Sequence, residues 1–321
     1  MNSITNFLSE RLPLFIVLVA GVTYFSPIYL NVSPWFPSFL LGVVIFFTGL
    51  SMNIESIKNI RRKKRELFLA TLFKWTFTVF ISIGLAYLFF SSKPGIAAGL
   101  ILAGTVPNAT AATVYTFLAG GNTSLVIAAS LVDIVISPII VPLAMLGLLS
   151  EEVSISILSL LQSFLLIVIL PLGTGLSIQR IFPQFATYSK TVTKFGSSLA
   201  LLIIVHTIVG SGKVVISSEM SVLPLLSIAT LIQVIFPMAA AYFIAKKLNV
   251  QEEDARAMLF HAGLCNTALA AILAFKFIGE IGAIAPILNM IFNLSIGAFI
   301  SNRFSKTNIY SQQVTNKSNI S

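Results

Sequence analysis

An all-α integral membrane protein of ten transmembrane helices, built as two inverted five-helix repeats with spans four and nine broken, is the fold this sequence predicts. Three observations predict it. Of 321 residues, 56% are hydrophobic and only 10% are Asp, Glu, Lys or Arg, whereas a soluble domain carries about 25% charged residues. The chain divides into ten apolar segments near the length of about 20 residues that a spanning helix needs. Two of those segments carry matching interruptions half a chain apart. The composition excludes a water-soluble enzyme and a disordered chain, and leaves no room for a large soluble domain. A single cysteine, Cys265, excludes an internal disulfide framework.

Charged and turn-rich breaks place the spans at about 12–31, 34–52, 67–90, 95–119, 123–149, 153–178, 193–211, 222–245, 255–276 and 281–301. The first is read as a true span and not a cleaved leader. Acidic Glu10 precedes it, no small-residue cleavage site follows, and the apolar run continues through Pro34 into the second span. Connections are short, so 1–321 is expected to form a single transmembrane domain. Repeat one covers about 12–149, repeat two about 153–301, and a short tail 302–321.

Lys and Arg collect on the cytoplasmic side of bilayer proteins. With both termini inside, that side holds sixteen of them, including Lys58, the run from Arg61 to Arg65, and Lys246 and Lys247. The other side holds only Lys93, Lys213 and Lys276, and Lys74 lies within a span. The expected localisation is therefore the cell membrane, multi-pass, with both termini cytoplasmic. The Arg61–Arg65 run is read as a topology determinant between two spans, so no nucleic acid is expected as a partner.

An internal repeat appears at an offset of 158 residues, that between Pro107 and Cys265. Pro107-Asn108-Ala109-Thr110-Ala111-Ala112 of span four faces Cys265-Asn266-Thr267-Ala268-Leu269-Ala270 of span nine, and each run continues to Phe and Gly at equivalent places. At nearly the same offset, Leu72-Phe73-Lys74 with Phe77 answers Leu231-Ile232-Gln233 with Phe236. Five spans per half is odd, so the second half enters from the opposite side. Pro107 lacks an N–H and breaks its helix. In span nine, Gly263, Cys265, Asn266 and Thr267 are small or polar at the corresponding depth. Non-helical backbone at membrane depth is tolerated only where protein or a water-filled cavity surrounds it, and paired breaks point to a midplane binding site. Asn108, Thr110, Asn266 and Thr267 are the substrate-contact candidates this supplies.

Few titratable groups lie inside spans. A central Lys or Asp costs about 2.5–3.5 kcal/mol on insertion scales, so each calls for a partner or a function. Lys74 is about 10 Å, Asp133 about 15 Å and His261 about 9 Å from the same side, at 1.5 Å per residue. All three can share one depth, and a Lys74–Asp133 pair is one arrangement. His206 stands alone on an apolar helix and reads as structural, and Cys265 as a small packing residue. There is no phosphate-cradling glycine loop, paired-His zinc motif or nucleophile elbow. The chain is therefore not expected to be an enzyme, and an ATP-driven pump made from it alone is excluded.

These features together resemble the bile acid:sodium symporter family, whose bacterial members move organic anions. The resemblance covers nearly the whole chain. Its anchors are Gly49-Leu50-Ser51, Pro107-Asn108-Ala109-Thr110-Ala111, Gly263-Leu264-Cys265-Asn266-Thr267 and Asn293-Leu294-Ser295. It implies crossed broken helices in spans four and nine, a panel of helices beside a core, and substrate in the crevice between them, with alternating access. It further implies that Asn266 and Asn293 face the substrate. Sodium-coupled relatives carry Glu where this chain has His261, Gln where it has Cys265, and Ser-Asn where it has Ala112-Thr113. A Gln of span three is Lys74 here, and in span five a Thr position is Ser130 and a Ser position is Asp133. Losing the Glu and gaining an ammonium leaves Thr113, Ser130 and backbone carbonyls as the oxygen donors.

The expectation is a secondary active transporter of a small organic anion. Its coupling ion would be a proton carried by Asp133 or His261, or it would run uncoupled, with Lys74 taking the electrostatic place of sodium. Sodium symport is the alternative within the family. A non-transporting membrane sensor or structural subunit is the alternative from another class. No cofactor, no metal other than sodium and no obligate protein partner are expected. The expected partners are the small organic anion and the lipid bilayer.

Overall fold

A computed structural model describes residues 7, 11–30, 32–33, 35–52, 62–145 and 156–318, with side chains for all but 185–194 and 307–318. The regular structure of the described residues is helical, apart from one isolated bridge. In chain order the helices are α1 (Leu12–Phe25), α2 (Trp35–Ser51), α3 (Lys64–Phe90), α4 (Pro94–Thr105), α5 (Thr110–Leu118), α6 (Thr123–Met145) and α7 (Ile157–Ile181). There follow α8 (Phe185–Ser211), the short α9 (Lys213–Ser218), α10 (Leu223–Lys247), α11 (Glu252–Gly263), α12 (Thr267–Phe277) and α13 (Glu280–Ser318). Five described stretches are long and apolar enough to cross a membrane: Lys64–Phe90, Thr123–Met145, Ile157–Ile181, Met220–Lys247 and Glu280–Lys306. Shorter apolar helices accompany them, and the whole is the architecture of a membrane protein.

Local chemistry sets the boundaries. α1 ends at Phe25, earlier than the 12–31 expected, because Ser26 precedes Pro27 and takes extended backbone, φ −72° and ψ 138°. Residues 146–155, where span five was expected to end and span six to begin, and the basic residues Lys58 and Arg61 lie outside the described residues. Ser156 caps α7 by accepting from the Ser159 N–H at 3.3 Å, and Asn122 caps α6 by accepting from the Leu125 N–H at 3.2 Å.

Two packing groups emerge. In one, α2 packs on α7 and α8, and α8 on α1. In the other, α3, α6, α10 and α13 surround the two interrupted helices, α4–α5 and α11–α12. In a bilayer, small residues let helices pack closely where no hydrophobic drive exists between them. A Cβ on Gly99 of α4 would fall 1.9 Å from the Gly282 carbonyl oxygen of α13, so these backbones touch. A Cβ on Gly175 of α7 would fall 2.2 Å from the Phe46 carbonyl oxygen of α2. Every residue of α4 from Ile96 to Thr105 is buried, so this half-helix is core on all sides.

Candidate functional site

The breaks between α4 and α5 and between α11 and α12 meet. The Ala109 N–H donates to the Leu264 carbonyl at 2.9 Å, and the Asn266 N–H donates to the Pro107 carbonyl at 2.8 Å. Asn108 and Cys265 thereby form an isolated antiparallel bridge. Pro107 has no N–H to orphan, and each interrupted strand supplies what the other lacks. The carbonyl ends of α4 and α11 and the N–H ends of α5 and α12 converge here, so partial charges of both signs line one small region.

Side chains close the rest. Asn108 Nδ2 donates to the His261 carbonyl at 2.9 Å, and Thr78 Oγ1 to the Ala262 carbonyl at 2.6 Å, which engages the free carbonyls of α11. Asn266 caps α12, its Oδ1 accepting from the Leu269 N–H at 3.2 Å. Asn293 of α13 donates to the Cys265 carbonyl at 3.1 Å and to Thr267 Oγ1 at 3.4 Å. Asn108 Oδ1 is buried without a hydrogen-bond partner. Asn108, Asn266, Thr267, Asn293 and Cys265 are thus brought together. Thr110 opens α5 and is exposed, and Thr113 is half-buried one turn on.

Lys74 is fully buried. It begins a π-helical turn, Lys74–Thr78, inside α3, the kind of local widening that accompanies functional sites. Its Nζ lies 2.7 Å from Cys265 Sγ and 3.4 Å from the Gly104 carbonyl at the end of α4. The pairing with Asp133 considered from sequence is not formed: no carboxylate stands within ion-pairing distance of Nζ among the described residues. The carboxylate is taken by the next residue instead, Trp75 Nε1 donating to Asp133 Oδ1 at 2.8 Å. The other carboxylate oxygen, Oδ2, stands 3.4 Å from His261 Nε2, within ion-pairing range. The contact is too poorly aligned to be a hydrogen bond, and neither ring nitrogen of His261 has another partner. Asp133 and His261 are both buried, so this contact lies inside the helical body.

Ser130 gives its hydroxyl to the Val126 carbonyl of its own helix at 2.7 Å. Among the described residues no cluster of three His, Cys, Asp or Glu exists that could hold a metal ion. Two backbone carbonyls at the breaks are already engaged, Gly104 by Lys74 and Ala262 by Thr78.

Sequence reasoning missed a second polar cluster beside the crossing. Gln233 of α10 donates to Ser82 Oγ and to the Leu100 carbonyl, both at 2.7 Å, and accepts from Asn289 Nδ2 at 2.6 Å. The repeat had aligned Gln233 with Lys74, and Asn289 lies four residues before Asn293 on α13. Both were signals that could have found it. His206 is structural, its Nδ1 2.6 Å from Thr23 Oγ1 and its Nε2 accepting from the Leu30 N–H at 3.1 Å.

Crossed, interrupted helices in an apolar helical body, with a buried cation at the crossing, are the arrangement of a membrane transporter. The family model described as the Sodium Bile acid symporter family matches residues 38–219, and the chain belongs to that family. It is 24% identical to the uncharacterized sodium-dependent transporter YocS of Bacillus subtilis (strain 168) over 326 residues, covering 100% of this chain and 99% of that one. It is 24% identical over 282 residues to the uncharacterized protein YbaS of the same organism, covering 86% and 92% of the two chains. It is 23% identical over 246 residues to the probable sodium/metabolite cotransporter BASS1, chloroplastic, of Arabidopsis thaliana, covering 75% of this chain and 59% of that one.

Proposed function

We propose that the chain is a secondary transporter of a small organic anion that works by alternating access across ten spans, with both termini cytoplasmic. In this reading Lys74 stands in for the sodium ion of sodium-coupled relatives. The observation that carries it is the buried Lys74 Nζ at the carbonyl end of α4, 3.4 Å from the Gly104 oxygen and without a carboxylate partner among the described residues. A fixed ammonium there and the N–H ends of α5 and α12 favour an anionic cargo. Asn108, Asn266, Thr267 and Asn293 line the crossing on which that cargo would be held, with Thr110 beside it. Asp133 and His261, buried together and short of hydrogen bonds, are the candidate proton carriers.

Sodium symport is the second reading, favoured by the printed name of the relative that spans the whole chain, a sodium-dependent transporter. Thr113 and Ser130 would then contribute oxygen. Proteoliposomes loaded with a panel of labelled small carboxylates separate the two. Under the proposal, counterflow occurs without sodium, and net uptake follows an imposed pH gradient or needs none. Uptake that requires a sodium gradient would overturn it and leave the second reading.

A further inference from the structure

Cys265 is the one cysteine among 321 residues, and its sulfur faces an amine. Lys74 Nζ lies 2.7 Å from Sγ, closer than an ordinary N–H···S hydrogen bond and inside the separation of about 3–3.5 Å at which reacting atoms are poised. The rest of the Nζ surroundings is inert: the Gly104 carbonyl at 3.4 Å and the face of the Trp75 ring at 5.5 Å. Cys265 Sγ has one further contact, the same Gly104 carbonyl at 3.8 Å. Lys74 is wholly buried and Cys265 is 3% exposed. The next residue, Asn266, is half-buried and Thr110 is exposed, so the crossing reaches the surface one residue from Cys265.

We propose that Lys74 and Cys265 form a redox pair, in which hydrogen peroxide oxidises the sulfur and the lysine nitrogen closes on it as a sulfenamide cross-link. In the first step the sulfur attacks one peroxide oxygen and the O–O bond breaks. The departing hydroxide takes a proton from the pair and leaves as water. Sulfur has then given two electrons to peroxide and is a sulfenic acid. In the second step the lysine nitrogen attacks sulfur, an N–S bond forms and the S–O bond breaks. The hydroxide again leaves as water, with a proton from nitrogen. One amine, one thiol and one hydrogen peroxide thus become one sulfenamide and two waters. The balance is the same for an ammonium and a thiolate, which together carry the same hydrogens. Sulfenic acids condense with a thiol or with nitrogen. No second thiol exists in this chain, so the amine already in contact is the nucleophile at hand.

The sulfenic acid has a waiting acceptor. The bonds from the Ala109 N–H to the Leu264 carbonyl and from the Asn266 N–H to the Pro107 carbonyl make Asn108 and Cys265 the non-hydrogen-bonded pair of their bridge. That register sets two side chains close together on one face. Asn108 is 8% exposed, and its Oδ1 is buried without a hydrogen-bond partner. A thiol is a weak donor, whereas the added O–H of a sulfenic acid can satisfy Oδ1. The cross-link then consumes the ammonium and ties α3 to the break between α11 and α12. Two thiols of a reductant reopen it and leave as a disulfide. In the transport reading, on which this consequence alone rests, peroxide removes the fixed charge and stops the carrier until a reductant restores it.

The test uses the purified full chain in phosphatidylcholine nanodiscs, treated with hydrogen peroxide and read by mass spectrometry. The peptides of Lys74 and Cys265 are expected to appear joined, two hydrogens lighter than their sum, and to separate again in dithiothreitol. The cross-link closes a long loop, so the oxidised form should also unfold at a higher temperature. Lys74→Gln should show no cross-link and should instead let dimedone capture the sulfenic acid. Asn108→Ala should slow cross-linking about fivefold, the loss of one hydrogen bond. Parent protein unfolded in dodecyl sulfate should not cross-link, which ties the reaction to the fold and needs no variant. A parent in which Cys265 stays reduced, or gains oxygen without joining Lys74, would refute the pair. Counterflow that persists in fully cross-linked protein would refute its role as a switch. Reduced protein without counterflow would instead remove the transport reading and leave the cross-link standing.

Discussion

The Lys74 nitrogen lies 2.7 Å from the Cys265 sulfur, joining α3 to the break between α11 and α12 across 191 residues of sequence. The family resemblance implies Gln at both positions in sodium-coupled members. Here Lys74 makes a cation part of the covalent structure, held at the carbonyl end of α4.

Restoring the relatives' residues should restore a vacancy. The triple variant Lys74→Gln, His261→Glu, Cys265→Gln is expected to gain sodium-specific thermal stabilisation that the parent lacks. At a sodium concentration one hundred times the dissociation constant, the gain is about 2.7 kcal/mol. Unfolding in sodium against choline chloride at matched ionic strength reads it directly. A sodium-specific rise in the parent would contradict the substitution of ion by ammonium.

Asp133→Asn keeps an oxygen for the Trp75 N–H, bonded at 2.8 Å in the parent, but removes the group that can exchange a proton. The variant is expected to fold, to catalyse counterflow, and to lose the dependence of net uptake on a pH gradient. Unchanged gradient-driven uptake in reconstituted vesicles would exonerate Asp133 as the carrier.

Gly99→Ala should be among the most damaging single-methyl changes. Its Cβ would lie 1.9 Å from the Gly282 carbonyl oxygen, so two helix backbones must separate. Overpacking of this kind costs about 1–3 kcal/mol. Gly84→Ala, where a Cβ meets nothing within 4 Å, is the neutral control. The comparison is of unfolding temperatures in one detergent.

Glu252 opens α11 among Lys246 at 2.9 Å and Arg256 at 2.8 Å. Burial pushes its carboxyl upward, but hydrogen bonds from Lys246, Arg256 and Tyr242 and the charge of Arg256 outweigh this and hold it at about 2, below the ordinary 4.5. A depressed acid stabilises the fold above its unfolded value and ceases to do so as pH falls through the folded one. Glu252→Gln should therefore cost stability at neutral pH. Its difference from the parent should shrink as pH drops from 4.5 toward 2. A difference that stays constant over that window would show that the pair carries no linkage.

The interruption of span four was legible because Pro107 removes a donor and leaves a mark that any reading of the chain can find. Rise per residue made a common depth for Lys74, Asp133 and His261 legible. The partner of Lys74 was not. A π turn at Lys74–Thr78 rotates the side chains that follow, and nothing in a run of Lys-Trp-Thr-Phe-Thr signals one. Depth put Lys74 and Asp133 near one level, but depth does not fix which way a side chain turns, and Trp75 takes the carboxylate instead. Gln233 and Asn289 escaped for another reason. Uncharged amides are cheap enough in a span that only their convergence on Ser82 and Leu100 marks them, and convergence is a property of the fold.

The bridge between Asn108 and Cys265 also bears on biosynthesis. While the first half of the chain is in the membrane and the ribosome has yet to reach residue 264, the Ala109 N–H has no acceptor and the Pro107 carbonyl has no donor. Unpaired backbone in hydrocarbon costs several kcal/mol per group, so the nascent first half carries a wet seam that only the second half seals. Insertion of this chain is therefore completed late, and ribosome-bound intermediates ending before α12 should be held by the insertion machinery instead of being released into lipid.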